Sequence, residues 1–233
     1  LAARPFASRM ERMVRELALL EMRADLDAGE DVQIHPFFDR RPKDGAELLI
    51  LVTGDKGLCG AFNSNLLRAA IDWLRARKGR KSYCVAVGRK GRDLVHRLKD
   101  VDVEVVQELV GVFPKINFTH AELVGQAVID AYLDPKKRLS KVTILYNEFK
   151  SVAQQRLLTA ALLPIPEPAV LPDAVTLPCY GFEPHRQQLL AALLPRHVKA
   201  QLYRVLLESQ AAELAARMNA MDAASKNAKE LRE

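Results

Sequence analysis

Three evenly spaced glycines, Gly54, Gly57 and Gly60, lie between an apolar run and a helical stretch, where backbone N–H groups could cradle a phosphate. A phosphate loop requires G-x-x-x-x-G-K-[ST], and no Lys-Ser or Lys-Thr follows the last glycine. A dinucleotide turn requires G-x-G-x-x-G, whereas the spacing here is G-x-x-G-x-x-G. The glycines are therefore read as supplying positive φ in a tight turn, with Asn63 or Ser64 capping the following helix. A nucleotide-binding Rossmann-like enzyme built on the Gly54–Gly60 turn stays as the alternative. Histidines 35, 96, 120, 185 and 197 show no metal-ligand spacing, and no histidine lies near Cys59 or Cys84 in sequence. Both cysteines read as small buried hydrophobes. No catalytic, cofactor-binding or metal-binding residue is assigned.

Those residues need a frame. The chain has 233 residues, 49% hydrophobic and 27% charged, with a formal net charge of +6. That composition suits a soluble protein with a core, and no apolar run approaches the ~20 residues of a membrane span. Three cysteines, with no CxxC, exclude a disulfide scaffold. Basic clusters at Arg75–Lys81, Arg89–Arg92 and Lys136–Arg138 lack interleaved aromatics, so nucleic acid is not expected. They are solvated surface, or an attraction toward an acidic partner or an anionic membrane.

Glu47–Thr53 is a continuous apolar run typical of a strand covered on both faces. Strands at Tyr83–Val87, Val101–Val106 and Val142–Tyr146 alternate with helices at Phe62–Arg77, Lys90–Leu98 and His120–Leu133. Alternation of this kind predicts a three-layer, Rossmann-like α/β domain with a mostly parallel sheet. Gln155–Leu163 is a further strand at an edge or turning back antiparallel. Pro164 to Pro184 holds six of the twelve prolines and reads as a stiff, extended connector.

Both ends read as helices cut in mid-element. Phe6, Met10, Met13, Leu17, Leu20 and Ala24 follow the alternating steps of a coiled-coil seam, and so do Leu207, Ala211, Leu214, Met218, Met221, Ser225 and Ala228. Pro195 is placed in the first turn of the second helix, which then runs from Arg196 to Leu231, about 54 Å at 1.5 Å per residue. A helix of that length must project from the domain. The expected division is a coiled-coil helix over 1–28, an α/β base over 29–184 and a second coiled-coil helix over 185–233, the two helices forming an antiparallel coiled coil.

Val52–Leu66, VTGDKGLCGAFNSNL, closely resembles the "TSDRGLCGAFNSN" turn of the gamma subunit of F-type ATP synthases. Leu207–Ala228 resembles that family's C-terminal "ES…ARMxAMxxAxxNA" helix, and Ala2–Phe6 and Tyr146–Ser151 match further stretches in order. The resemblance implies a rotating, non-catalytic central stalk that couples proton flow across a membrane to ATP synthesis. Its implied partners are the alpha and beta subunits of the catalytic ring, the epsilon subunit and the ring of c subunits. By position, Arg217, Met218 and Met221 belong to the shaft facing the beta subunits. Tyr180, Gly181 and Phe182 belong to the foot near the c ring, while Gly57, Leu58, Cys59 and Gly60 shape the base-domain turn. The family's opening "RRRIxSV…" helix and closing "RQAxIT" segment are absent, which implies a shaft without its tip. The cysteine-bearing insertion of the chloroplast branch is also missing, so a bacterial or mitochondrial type is implied; the bacterial one, peripheral on the cytoplasmic face of the inner membrane, is preferred over one on the mitochondrial matrix side.

Overall fold

A computed structural model describes residues 3–28, 35–38, 41–42, 44–166 and 185–232. The elements run α1 (Ala3–Ala28), β1 (Ala46–Val52), α2 (Phe62–Arg75), β2 (Ser82–Val87), α3 (Arg89–Arg97), β3 (Val103–Leu109), α4 (Phe118–Leu133), β4 (Leu139–Phe149), β5 (Gln155–Leu163) and α5 (Arg186–Glu230). The sheet order is β3-β2-β1-β4-β5. The first four strands are parallel, and β5 folds back antiparallel along β4 as an edge.

Alternation along the strands divides the core. Leu48, Ile50, Val52, Val85, Val87, Val142, Ile144 and Tyr146 face α1, α4 and α5, whereas Leu49, Leu51, Cys84 and Leu145 face α2 and α3. Leu48 to Val52 are all 0% exposed, as expected of a strand covered on both sides. The three-layer α/β architecture with terminal helices is thus observed. Cys59 and Cys84 are free and buried, and burial pushes the Cys84 thiol up to about 12.

The terminal helices pair antiparallel. Arg4 Nε donates to Glu208 at 2.8 Å, Gln201 Nε2 to the Ala7 carbonyl at 3.4 Å, and Arg186 Nη1 to the Leu20 carbonyl at 3.4 Å. Two details differ from expectation. On α1 the buried face is Ala7, Val14, Leu17, Ala18 and Glu21, leaving Phe6 and Met13 about half exposed. On α5 it is Leu202, Val205, Leu206, Ser209 and Ala212, while Leu214, Met218 and Met221 are exposed. The reason is that α5 serves two surfaces at once: its first half packs on α1 and also lies beside α4 over β4. It is a covering helix first: residues 218–232 are almost all exposed, with Asn219 and Ala220 still touching the body and 221–232 clear of it.

The second correction concerns Pro195, which lies inside α5 and not in its first turn. Its missing N–H leaves the Ala191 carbonyl without its helical partner, a penalty of about 3 kcal/mol. Buried Leu190, Leu193, Leu194 and Val198 around it offset that penalty by packing. Of the proline-rich connector, 167–184 lies outside the described residues.

His197 of α5 is buried against α1 and β5, in a pocket of about 260 Å³ that also holds Glu11, Arg15, Gln201 and Arg204. Burial pushes its pKa below the ordinary value, with Glu11 opposing, and Nδ1 has no hydrogen-bond partner among the described residues. The unfolded chain therefore binds the proton first as pH falls below ~6.5. Stability should decline from there until the folded pKa is passed. Thermal midpoints between pH 7.5 and 5 should show this slope, and His197→Gln should flatten it; an unchanged slope would remove His197 as its source.

Candidate subunit-contact site

The order β3-β2-β1-β4 reverses direction between β1 and β4, and the turn after β1 opens at that switch point. In doubly wound sheets this crevice is where a ligand enters. Here the chain fills it with its own groups. Gly54 N donates to Asn63 Oδ1 at 2.9 Å, and Asn63 Nδ2 donates to the Lys56 carbonyl at 3.1 Å. Asn63 thus ties the turn from inside α2 and does not cap that helix, whose N-cap, Ala61, has no side-chain bond. Of the three glycines only Gly60 adopts positive φ, at 54°, and the other left-handed residue in the turn is Leu58, at 60°.

Asp55 anchors the turn to two neighbouring loops. Its Oδ1 accepts from Arg89 N at 3.0 Å and Gly111 N at 2.9 Å, and its Oδ2 accepts from Phe113 N at 3.1 Å. Thr53 Oγ1 accepts from Gly91 N at 2.8 Å and donates to the Val87 carbonyl at 3.1 Å. The tips of three βα connections are thereby held by one buried carboxylate and one buried hydroxyl. Of the three glycine N–H groups of the turn, that of Gly54 is already engaged by Asn63.

From the other side comes α5. Glu213, only 3% exposed, lies with its Cγ 3.4 Å from where a Cβ on Gly54 would stand. Burial pushes its carboxyl pKa up, and Arg217 opposes that shift. Arg217 pairs with Glu213 and extends Nη2 to the Gly57 carbonyl at 3.4 Å. A buried glutamate in the crevice repels phosphate, so the geometry counts against the nucleotide-enzyme alternative. Asn219 Nδ2 adds a 2.7 Å bond to the Val152 carbonyl of the β4–β5 hairpin.

The structure thus brings together the two sequence segments that carry the resemblance. Arg217, placed on the shaft by the resemblance, is tied down to the body, with a quarter of its side chain exposed. Met218 and Met221 are each 54% exposed, and Leu58 stands out from the turn at 80%. Cys59 is buried below Leu58 and lines an open cleft of about 350 Å³ with Gly60, Phe62, Asn147, Ala216 and Ala220. Tyr180, Gly181 and Phe182 lie outside the described residues. Asp55 and Glu213 organise the site but were not singled out from sequence, and Asn63 was read there only as a helix cap. Their signal is a polar side chain in a turn or seam whose neighbours are small or apolar.

Among the described residues, no group of three His, Cys, Asp or Glu could hold a metal ion, and no helix is long and apolar enough to cross a membrane. A family model described as ATP synthase matches residues 1–233. The ATP synthase gamma chain of Elusimicrobium minutum is 41% identical over 99% of this chain and 77% of its own length. The chain belongs to the ATP synthase gamma-chain family. A second gamma chain, from Geotalea daltonii, is 36% identical over 99% of this chain and 75% of its own length. Among solved structures, the central stalk and c-ring assembly of Tetrahymena thermophila mitochondrial ATP synthase contains a similar fold, with TM-score 0.60 and 21% identity over 94% of this chain and 99% of that one. The rotor of Euglena gracilis mitochondrial ATP synthase contains another, with TM-score 0.57 and 16% identity over 99% of this chain and 89% of that one. As a gamma chain this polypeptide is the central-stalk subunit of an F-type ATP synthase, whose catalytic sites lie in the beta subunits.

Proposed function

We propose that α1 and α5 form the rod of the rotor, and that the exposed half of α5 enters the alpha/beta ring while the α/β domain serves as its base. The observation that carries this reading is the change in α5 at Arg217. Before it the helix is buried in the body; after it come about four turns of exposed helix with Met218 and Met221 on the surface. Arg217, Met218 and Met221 then lie where the shaft meets the beta subunits, with the Gly57–Gly60 turn beside them. Tyr180, Gly181 and Phe182 belong to the foot on the c ring, with epsilon against the base. The complex is peripheral on the cytoplasmic face of a bacterial inner membrane, and proton flow turns the rod.

Co-expression with alpha, beta and epsilon subunits tests this reading. A single copy of the chain should co-purify per alpha/beta hexamer, and the chain alone should hydrolyse no ATP. Hydrolysis by the pure chain, lost in Lys56→Ala, would overturn it.

A further inference from the structure

The cavity beside His197 lies where α1, α5 and β5 meet. Its walls are apolar: Val14, Phe38, Ile144, Leu162 and Val205 are all buried. At about 260 Å³ it exceeds the ~150 Å³ that suffices for benzene in an apolar cavity. A substituted ring or a pair of fused rings matches that volume.

The polar groups of the cavity select what can enter. Arg15 Nη2 donates to Glu11 Oε1 at 3.2 Å, and both side chains are more than half exposed, so this pair forms the rim. Arg204 donates to Gln201 Oε1 and to Glu208 Oε1, each at 3.1 Å. Arg4 shares Glu208 and has Glu148 at 4.0 Å. Every charge on or behind the lining is therefore matched. His197 is 6% exposed and held neutral by burial, and its Nδ1 has no hydrogen-bond partner among the described residues. An anion entering here would meet Glu11, and a cation would meet two arginines. A neutral molecule avoids both penalties. The exposed Glu11–Arg15 pair holds itself weakly, so a hydroxyl can enter between the two, donating to the carboxylate and accepting from the guanidinium.

We propose that this cavity binds a small neutral aromatic alcohol, with the ring inside and the hydroxyl at the rim. Replacing mobile water along such apolar walls favours the bound state. A ligand seated there touches α1, α5 and β5 together and so holds both terminal helices against the sheet. The site stands on the cavity and its charges, and does not depend on the stalk reading.

The test titrates the whole chain with 2-naphthol and, as a matched anion, with 2-naphthoate at neutral pH, followed by calorimetry and by carbon-13 methyl spectra. One saturable site with Kd below ~0.1 mM is expected for a ligand of that size. Binding should be at least ~10-fold tighter than that of 2-naphthoate. Methyl shifts should concentrate on Val14, Ile144, Leu162 and Val205. Glu11→Ala combined with Arg15→Ala, both at exposed positions, should weaken binding ~5- to 10-fold. Ala160→Leu, which sets a larger side chain on the cavity wall, should abolish binding, whereas Ala153→Leu in the exposed β4–β5 turn should leave it unchanged. Should Ala160→Leu fail to fold, the rim variant decides. Equal affinity for the two naphthalenes, methyl shifts centred elsewhere, a rim variant without effect, or no saturation would each overturn the proposal.

Discussion

Replacing Gly88 with alanine is expected to cost about 3–5 kcal/mol of folding stability, the sum of backbone strain and a steric clash. Gly88 ends the β2 strand at φ 89°, a conformation hostile to any side chain. A Cβ added there would lie 2.1 Å from the Thr53 carbonyl oxygen and 2.7 Å from Thr53 Oγ1. Neither partner can withdraw. Thr53 N is bonded to the Val87 carbonyl at 2.8 Å, Gly88 N to the Leu109 carbonyl at 2.8 Å, and Thr53 Oγ1 to Gly91 N. For a chain of this size the thermal midpoint should fall by on the order of 10 °C. Gly79 is the internal control: its φ is 88°, yet nothing lies within 4 Å of its would-be Cβ. Gly79→Ala should therefore incur only the backbone term, about 1–2 kcal/mol. Equal losses from both variants would show that the close approach of β1 and β2 at the floor of the turn carries no energy of its own.

That floor also marks the limit of what could be read in advance. Leu48–Val52 announced a strand because a parallel strand buried on both faces must be apolar at every position, and the structure has it so. The alternation of strands and helices then gave the layer order. The α5 start escaped because Pro195 is a strong helix-start signal, and only packing by distant side chains reveals that the helix continues through it. The seams came out in the wrong register for a related reason. A heptad pattern records which positions are apolar, but α5 must divide its apolar faces between α1 and the sheet. At the site, Gly57–Gly60 and Arg217 were legible as residues, whereas their union was not. Arg217 reaches a carbonyl 160 residues away, and Asp55 collects N–H groups 34 to 58 residues further on. Contacts of that separation leave no periodicity in the chain.

Arg217→Glu is expected to lower ATP synthesis by the assembled complex at least ~10-fold, equivalent to about 1.4 kcal/mol, while the base domain stays folded. In the native chain the Arg217 cation offsets the burial of Glu213 and holds the Gly57 carbonyl. The variant removes both functions and sets a second carboxylate one helical turn from the first, beside Asp55, which already pushes the Glu213 pKa upward. Breaking a half-buried pair of this kind costs about 1–3 kcal/mol once the exposed quarter of the arginine is discounted. The turn bearing Leu58 would then be released from α5, so that base and shaft no longer turn as one body. Unchanged synthesis with normal assembly would remove Arg217 from the mechanism. A second variant separates the two ways in which Arg217 can act. Exchanging the pair, Glu213→Arg with Arg217→Glu, restores the internal attraction but withdraws the cation from its place near the surface. Recovery in the exchanged protein would make Arg217 a latch between turn and shaft. Persistent loss, with circular dichroism showing an intact fold, would make it a direct contact for an acidic group of the surrounding ring.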